Sequence, residues 1–328
     1  VLSVILIFPT LLSAYNQDHV NKLLEGKTAW NRWRLNFRGK PDLSGYNFQS
    51  AQARRAFRNR VLNGFNFFNT NMQRVDLRNY KIHNSRFMTA DLKYAKLSAC
   101  EIKRSQFQGT NLENADLNDC RINDSNLKNA KMSHMKARRT RIRNTRFEGA
   151  NMSRADFTQT KIDKAKFDRA LLSNTSFERS EVRRGKFYQT RMSSTRFRHA
   201  KIWFCNFQQA VLRNANFSNT FLSNSNFNKA SLGSVNFSGA SMGQTDFKYA
   251  DLNRTKFNYA NLSHSDFTRA NVVYVNFYQA KLIGVKFNYA TINSGTWDGA
   301  DIAHADFRRS RRQYVNLDRT RNKNRARF

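Results

Sequence analysis

Residues 250–270 read ADLNRTKFNYANLSHSDFTRA, and this segment shows the repeat on which the fold prediction rests. A large apolar residue stands at every fifth position, namely Leu252, Phe257, Leu262 and Phe267. A small residue stands two places before each of them. The same spacing continues without insertion or deletion from Phe57 to Leu317, and of these 53 positions only Ala137 and Arg312 are not large and apolar. A period of five fits neither a helix nor an ordinary strand. It predicts a solenoid in which each unit forms one side of a coil.

The units have a recognisable composition. Good copies are ANFSN at 215–219, ADLNR at 250–254 and ANLSH at 260–264. These units resemble those of the pentapeptide-repeat family, and the resemblance covers about residues 41–318. It implies an all-β fold, a right-handed quadrilateral parallel β-helix in which four units make one coil, with about 13 coils in all.

The repeat also contains a longer period. From Phe147 to Phe287 every tenth residue is phenylalanine, and the centres between them are aliphatic. With four units per coil, this spacing predicts phenylalanines on two opposite sides of the interior and aliphatic residues on the other two. Leu43 and Phe48 carry the five-residue spacing one residue out of phase, which predicts an irregular join in the first coil.

The two ends of the chain differ from the repeat. Apolar residues at helical spacing within 16–38 predict one or two short helices that close the end of the solenoid, because a solenoid needs its apolar ends covered. The sequence therefore divides into an apolar segment (1–14), a helical cap (15–40), the repeat (41–318) and a basic C-terminal tail (319–328) that we expect to be solvated.

Residues 1–14, VLSVILIFPTLLSA, are apolar and uncharged. They are typical of an export signal, with a retained membrane anchor or an apolar plug on the solenoid end as alternatives. An exported, periplasmic or extracellular, or membrane-associated location is expected, and the cytoplasm is the alternative.

No pattern in the sequence indicates catalysis. An ungapped repeat offers flat sides, whereas an enzyme needs a cleft with converging titratable groups. The cysteines Cys100, Cys120 and Cys205 all fall at small inward positions, where they act as filler. The six histidines have no metal-ligand spacing. We therefore expect no catalytic residues, no metal site and no cofactor.

Charge is the feature that remains. The chain has 57 Lys and Arg against 23 Asp and Glu, a net charge of +34, and the segment 121–201 alone carries 22 basic and 7 acidic residues. Outward residues one coil apart should stack along one edge, and the adjoining side adds further cations. The predicted anion-binding or partner-binding residues are Lys81, Arg86, Arg121, Arg141, Arg143, Arg146, Lys161, Lys166, Arg183, Arg184, Lys186 and Lys201.

These observations predict a non-enzymatic structural or scaffold protein whose basic side binds an acidic partner. That partner is an acidic protein, such as a subunit of an assembly, or an anionic polymer or lipid surface of the cell envelope, with peripheral or anchored membrane association. The alternative is a nucleic-acid binder that contacts phosphates independently of sequence. Some members of the family inhibit DNA gyrase with an acidic, DNA-like rod, but the basic surface here has the opposite sign.

Overall fold

The computed structural model describes residues 15–328, which form a four-sided parallel β-helix of about 13 turns. Nearly every repeat unit pairs in parallel with the corresponding unit of the next coil, as in the register Lys81↔Glu101. The predicted fold is therefore confirmed. We number the sides by their first regular centres: side 1 begins at Leu62, side 2 at Phe67, side 3 at Met72 and side 4 at Leu77. Sides 1 and 3 are opposite each other, as are sides 2 and 4.

Most units turn tightly, and in many of them an Asn or Asp before the centre stabilises the turn. In the unit centred on Leu92, the Asp91 carboxylate accepts a hydrogen bond from the Lys93 backbone N–H at 3.2 Å. Tyr94 then adopts a left-handed conformation with φ 59°, and the N–H of Ala95 donates to the carbonyl of Leu92 at 3.0 Å. Asn and Asp are preferred at such positions because their side chains bond the backbone two residues on. In such units the corner between sides is encoded locally.

Where the centre is β-branched and no Asn or Asp side chain caps the turn, the unit is an extended strand. β-branched residues favour the extended backbone. Leu62 in the first strand and Arg312 in the last are the exceptions. Side 1 carries the longer sheet, whose eight strands are β1 Val61–Asn63, β2 Lys81–His83, β3 Glu101–Lys103, β4 Arg121–Asn123, β5 Arg141–Arg143, β6 Lys161–Asp163, β7 Glu181–Arg183 and β8 Lys201–Trp203. Side 3 carries β9 Asn271–Val273, β10 Thr291–Asn293 and β11 Arg311–Gln313.

The interior is filled by stacked phenylalanines from sides 2 and 4. The ring of Phe187 stacks on Phe167 at 4.9 Å and on Phe207 at 4.7 Å between centroids, and it meets Phe177 from the opposite side edge-on at 6.5 Å. Offset stacked and edge-to-face contacts are both favourable for aromatic rings. The ten-residue spacing therefore predicted the core arrangement correctly.

One unit fills the core in a different way. Ala137 occupies a centre where a large residue is expected, while Met135 occupies the small position two places before it. Both side chains are buried. Because residues i and i+2 share a face of an extended chain, the methionine supplies the volume that the alanine lacks.

Two helices, α1 Gln17–Leu24 and α2 Lys27–Asn36, close the N-terminal end. Helix α2 donates side-chain hydrogen bonds to carbonyls of the first coil: Trp30 Nε1 to Asn66 O at 2.8 Å and Arg34 Nη2 to Phe68 O at 2.8 Å. Without the helix, these carbonyls would be unpaired at an open sheet edge, where another chain could associate. The predicted helical cap is thus present.

The first coil contains an insertion, so the regular repeat does not begin at Phe57. Asp42 pairs with Asn71, a longer step along the chain than the regular one from Lys81 to Glu101, because helix α3 Ala51–Ala56 and a 3₁₀ turn at Arg58–Arg60 lie between the sides. Phe57 is the C-cap of α3, and its ring packs near those of Phe48 and Phe65 rather than serving as a repeat centre. Its agreement with the five-residue spacing is fortuitous.

The C-terminal segment is mostly exposed, as expected of a solvated tail, but it is also bonded to the last full coil. The backbone N–H of Arg321 donates to Ala300 O at 2.8 Å, and residues 319–328 continue the coil with a short 3₁₀ turn at Lys323–Arg325. Phe328 stacks on Phe307 with centroids 5.4 Å apart. This ring, which is 48% exposed, lies over the end of the phenylalanine stack of side 2.

Residues 1–14, for which an export signal, an anchor or an end-plug was expected, lie outside the described residues. Within residues 15–328, no helix combines the length and apolar character that a membrane span requires.

Candidate partner-binding surface

The predicted binding residues lie on two adjoining sides of the helix. Eight belong to side 1: Lys81, Arg121, Arg141, Arg143, Lys161, Arg183 and Lys201 in the strands, and Arg184 in the turn after β7. Four begin units of side 2: Arg86, Arg146, Lys166 and Lys186. The structure thus places all of them on neighbouring outward surfaces, although it does not bring all of them together.

Five of the cations on side 1 surround a shallow hollow of about 520 Å³ on strands β4–β7. We call this group the basic hollow, and its members are Arg121, Arg141, Arg143, Lys161 and Arg183. Its floor includes the repeat centres Ile142 and Ile162, and its wall includes the acidic residues Asp163 and Glu181. A hollow of this kind arises because long side chains stand up from a regular sheet on either side of short ones.

Three arginines of the basic hollow have no ionic partner. Among residues 15–328, the side chains of Arg121, Arg141 and Arg143 form no ion pair or hydrogen bond. Arg121 lies in register with Arg141, so two cations occupy neighbouring strands about 4.8 Å apart. Like charges directly opposite each other in a sheet are destabilising.

Arginines elsewhere on the surface show the contrast. On side 4, Arg138 pairs with Asp156 at 2.5 Å and Arg139 pairs with Asp119 at 2.7 Å. Hydrogen bonding and charge attraction from Arg139 lower the pKa of Asp119. The chain can therefore pair its arginines with carboxylates. Glu101 and Asp163 are the register neighbours of Arg121 and Arg143, but within residues 15–328 neither carboxylate forms an ion pair with these arginines.

Other predicted residues stand apart from the hollow. The first residues of the strands on side 1 stack in one column. In this column Glu101 separates Lys81 from Arg121, and Glu181 separates Lys161 from Lys201. The cations of side 2 make their own column, in which Arg146, Lys166 and Lys186 are successive partners and Arg146 also pairs with Glu148 at 3.2 Å. Arg86 lies near the N-terminal cap, where it lines a separate hollow with residues of helix α2.

An aromatic cluster adjoins the basic hollow, and the sequence-based prediction did not include it. Trp203, Phe204 and Phe221 occupy outward positions of side 1; Phe204 is 63% and Phe221 is 55% exposed. A second hollow of about 790 Å³ links Arg143 and Arg183 of the basic hollow to Trp203 and Phe204. The five-residue register does reveal these positions, since Trp203 and Phe204 follow the centre Ile202 and Phe221 precedes the centre Leu222.

Comparison with known proteins tests the family. A profile described as "Pentapeptide repeat region" matches residues 100–177, and one described as "Pentapeptide repeats (8 copies)" matches overlapping segments between residues 190 and 294. Together they cover more than half of the chain. The chain belongs to the pentapeptide-repeat family.

Solved structures of other family members align with this pentapeptide-repeat protein. Full-length QnrB1, a plasmid-mediated fluoroquinolone resistance protein, is 14% identical over 62% of this chain and 83% of its own, with a TM-score of 0.24. HetL, involved in heterocyst differentiation regulation in the cyanobacterium Nostoc sp. strain PCC 7120, is 18% identical over 82% of this chain and 94% of its own, with a TM-score of 0.22. A thylakoid lumen protein of Arabidopsis thaliana is 25% identical over 31% of this chain and 67% of its own, with a TM-score of 0.24. Among curated proteins, none matches significantly.

The remaining reactive groups of this pentapeptide-repeat protein are buried or dispersed. All three cysteines are free and buried, and burial raises the pKa of the Cys205 thiol to about 12. Cys100 and Cys120 donate their thiol hydrogens to carbonyls of the coil before, at Leu77 and Leu97, each at 3.0 Å. Within residues 15–328 no group of three or more His, Cys, Asp or Glu side chains is placed to hold a metal ion.

Proposed function

We propose that this pentapeptide-repeat protein is a non-enzymatic scaffold or binding protein that docks an acidic partner on side 1. The observation that carries the proposal is the set of three arginines, Arg121, Arg141 and Arg143, which share one sheet and lack ionic partners. Carboxylates or phosphates of a partner would relieve their repulsion. Arginine binds such groups through two parallel charge-assisted hydrogen bonds, which adds specificity to the attraction.

The fold itself supports a binding role over catalysis. The centres of β4–β7 are held by backbone pairing on both sides and by the packed interior, so the outward side chains stand on a rigid frame. A rigid frame reduces the entropy that a surface loses on binding. The titratable groups of the basic hollow are mostly cations, which suits anion recognition and supplies no general base beside a nucleophile.

Nucleic acid is the second candidate, because the aromatic cluster lies next to the cations. Proteins that bind single strands combine a positive groove with aromatic side chains on which bases stack. Contact with phosphates would make the affinity fall steeply with salt, by about 0.7 to 0.9 log units per phosphate for each log unit of salt concentration.

The test compares two triple variants with equal changes in net charge. One carries Arg121→Glu, Arg141→Glu and Arg143→Glu; the control carries Lys131→Glu, Arg154→Glu and Arg191→Glu, which are exposed residues of side 3. Binding of poly-L-glutamate and of duplex and single-stranded DNA is measured at several salt concentrations around 0.15 M.

We expect the side 1 variant to bind poly-L-glutamate at least about tenfold more weakly than the side 3 control, since lost bonds between charged groups cost about 1.5–3 kcal/mol each. Equal losses in both variants would show that binding follows net charge alone, and the proposal would fail. Tighter binding of DNA than of poly-L-glutamate, with a steep salt dependence, would favour the second candidate.

For the location, we propose export or membrane association, supported by the apolar, uncharged composition of residues 1–14. Protease accessibility in cells stripped of their outer layers tests this. A chain that stays protected and soluble in the cytoplasm would overturn it.

A further inference from the structure

We infer that the partner docked on side 1 is an acidic polypeptide segment that also carries an apolar side chain. Its carboxylates bind the basic hollow, and its apolar group binds the aromatic cluster of Trp203, Phe204 and Phe221. This inference rests on the proposed function and specifies the class of partner.

The two parts of the surface form one continuous trough. The hollow around Trp203 and Phe204 shares Arg143, Asp163 and Arg183 with the basic hollow. Phe221 pairs in register with Lys201, one coil beyond strand β8. It therefore continues the row of residues that contains Arg121, Arg141 and Lys161. Clusters of exposed large apolar side chains are uncommon on soluble proteins and mark interaction sites. A partner lying along side 1 would therefore meet cations first and aromatic rings next.

The aromatic part is shaped for an apolar side chain lying on the surface. The Arg183 guanidinium lies over the Trp203 ring, with Cζ 4.9 Å from its centroid. This contact holds the ring against the sheet on the side of β7. The next residue of the same column is Ser223, whose small side chain cannot cover the far side of the ring. The indole thus presents an apolar face beside Phe204, and an aliphatic or aromatic group can bury area there.

The trough contains two carboxylates among its cations, and this favours a polypeptide over a uniform polyanion. Asp163 stands in register between Arg143 and Arg183, and Glu181 lies 3.9 Å from the Lys161 ammonium. Evenly spaced phosphates of a nucleic acid, or the headgroups of an anionic membrane, would meet these two carboxylates as well as the cations. A polypeptide can place acidic residues only where the cations are, and so avoids that repulsion.

The spacing of the two parts sets the spacing expected in the partner. Arg141 on β5 and Trp203 on β8 are three coils apart, about 14 Å at the usual distance between strands. An extended peptide advances about 3.3 Å per residue, so this distance corresponds to roughly four residues. The inferred segment has acidic residues and an apolar residue about four positions apart, and the apolar residue can lie on either the N-terminal or the C-terminal side of the acidic ones.

The test uses the full chain and fluorescein-labelled synthetic peptides, with binding measured by fluorescence anisotropy at about 0.15 M ionic strength. The complete peptide has three glutamates, a spacer of three glycines and serines, and two leucines. One companion peptide has serines in place of the leucines, and another has glutamines in place of the glutamates. We expect the complete peptide to bind about tenfold more tightly than either companion, since buried apolar anchors dominate interface energies.

Two pairs of substitutions locate the effect. Trp203→Ser with Phe204→Ser should reduce the affinity for the complete peptide to that for the leucine-free companion. The control, Tyr274→Ser with Tyr314→Ser, removes two exposed aromatic side chains from side 3 and should change nothing. Both pairs replace exposed or partly exposed groups, and equal melting temperatures by circular dichroism confirm that the variants are folded.

The outcomes separate this inference from the proposed function. If the leucines and the Trp203→Ser and Phe204→Ser changes have no effect, while Arg141→Glu with Arg143→Glu still abolishes binding, the apolar anchor is wrong and the proposed function stands. If the arginine variant binds like the wild type, both fail. An oligothymidylate or a phosphatidylserine vesicle that binds more tightly than the complete peptide, and depends on Trp203, would overturn the inference in favour of that class.

Discussion

The exchange of volume between Met135 and Ala137 predicts a strong coupling between these two positions. In the other units of this side the centre is large and the residue two places earlier is smaller, as with Ala155 and Phe157. Met135 and Ala137 are 1% and 0% exposed, so neither can move into solvent to relieve a change in volume. A substitution at one position should therefore be compensated by the opposite substitution at the other.

The expected magnitudes follow from the packing. Met135→Ala removes most of a buried side chain and should cost about 2–5 kcal/mol of unfolding free energy. Ala137→Leu adds volume that Met135 already fills and should cost about 1–3 kcal/mol. The double variant restores the usual order of small and large residues and conserves the total volume, so it should lose less than about 1.5 kcal/mol. The coupling energy is then at least about 1.5 kcal/mol in the stabilising direction.

The measurement is a double-mutant cycle by equilibrium unfolding in guanidinium chloride, with thermal melts as an independent check. All four proteins must show the same unfolding slope, so that the midpoints report stability rather than a change in cooperativity. Losses that simply add in the double variant would refute the reasoning, since they would show that the two side chains fill separate spaces.

Three further predictions concern burial, charge and surface stacking. The three buried cysteines, including Cys205 with its pKa raised to about 12, should resist iodoacetamide at pH 8 and react fully only in denaturant; mass spectrometry would reveal any rapid labelling of the native chain. A hydrogen bond from Arg308 lowers the pKa of Asp306, so the ionised carboxylate stabilises the fold above about pH 4 and this stabilisation is lost as the pH falls further. In the Asp306→Asn variant the melting temperature should therefore fall less steeply with decreasing pH in this range, and an unchanged pH dependence would contradict the assignment. Arg269 lies over the ring of Tyr249 at 5.6 Å and donates a hydrogen bond to its hydroxyl at 2.8 Å. A double-mutant cycle to alanine should give a coupling of about 0.5–1 kcal/mol for the two contacts together, whereas strict additivity would show that they contribute nothing.

The interior was predictable because its pattern is periodic. Each five-residue unit fixes which side chains face inward, and the ten-residue recurrence of phenylalanine correctly placed Phe167, Phe177 and Phe187 in stacked columns. The ends were predicted less well because they depart from the period. Phe57 matches the spacing but follows an inserted helix, and Phe328 lies in a segment whose composition is typical of a solvated tail. Composition carries no information about a single ring that covers an open core.

The candidate site was predictable in position but not in its details. The spacing of one coil placed Arg121 and Arg141 on neighbouring strands, as the structure shows. Which cations lack partners depends on side-chain conformation: Arg139 reaches Asp119, whereas Arg143 reaches no carboxylate of the described chain. The aromatic cluster was readable from the register but lay outside the basic residues of the predicted site.

The solenoid, its sides and its inward and outward faces could all be predicted from the sequence, because a repeat of five residues imposes the same local geometry at every unit. The folded chain was needed to show how the coil begins and ends, how Met135 compensates for Ala137, and which arginines near Trp203 lack an ionic partner. These features arise from contacts between residues a full coil or more apart, or from volumes shared within one cross-section of the core. Long-range contacts of this kind depend on the conformations of individual side chains, and a local repeat does not specify them.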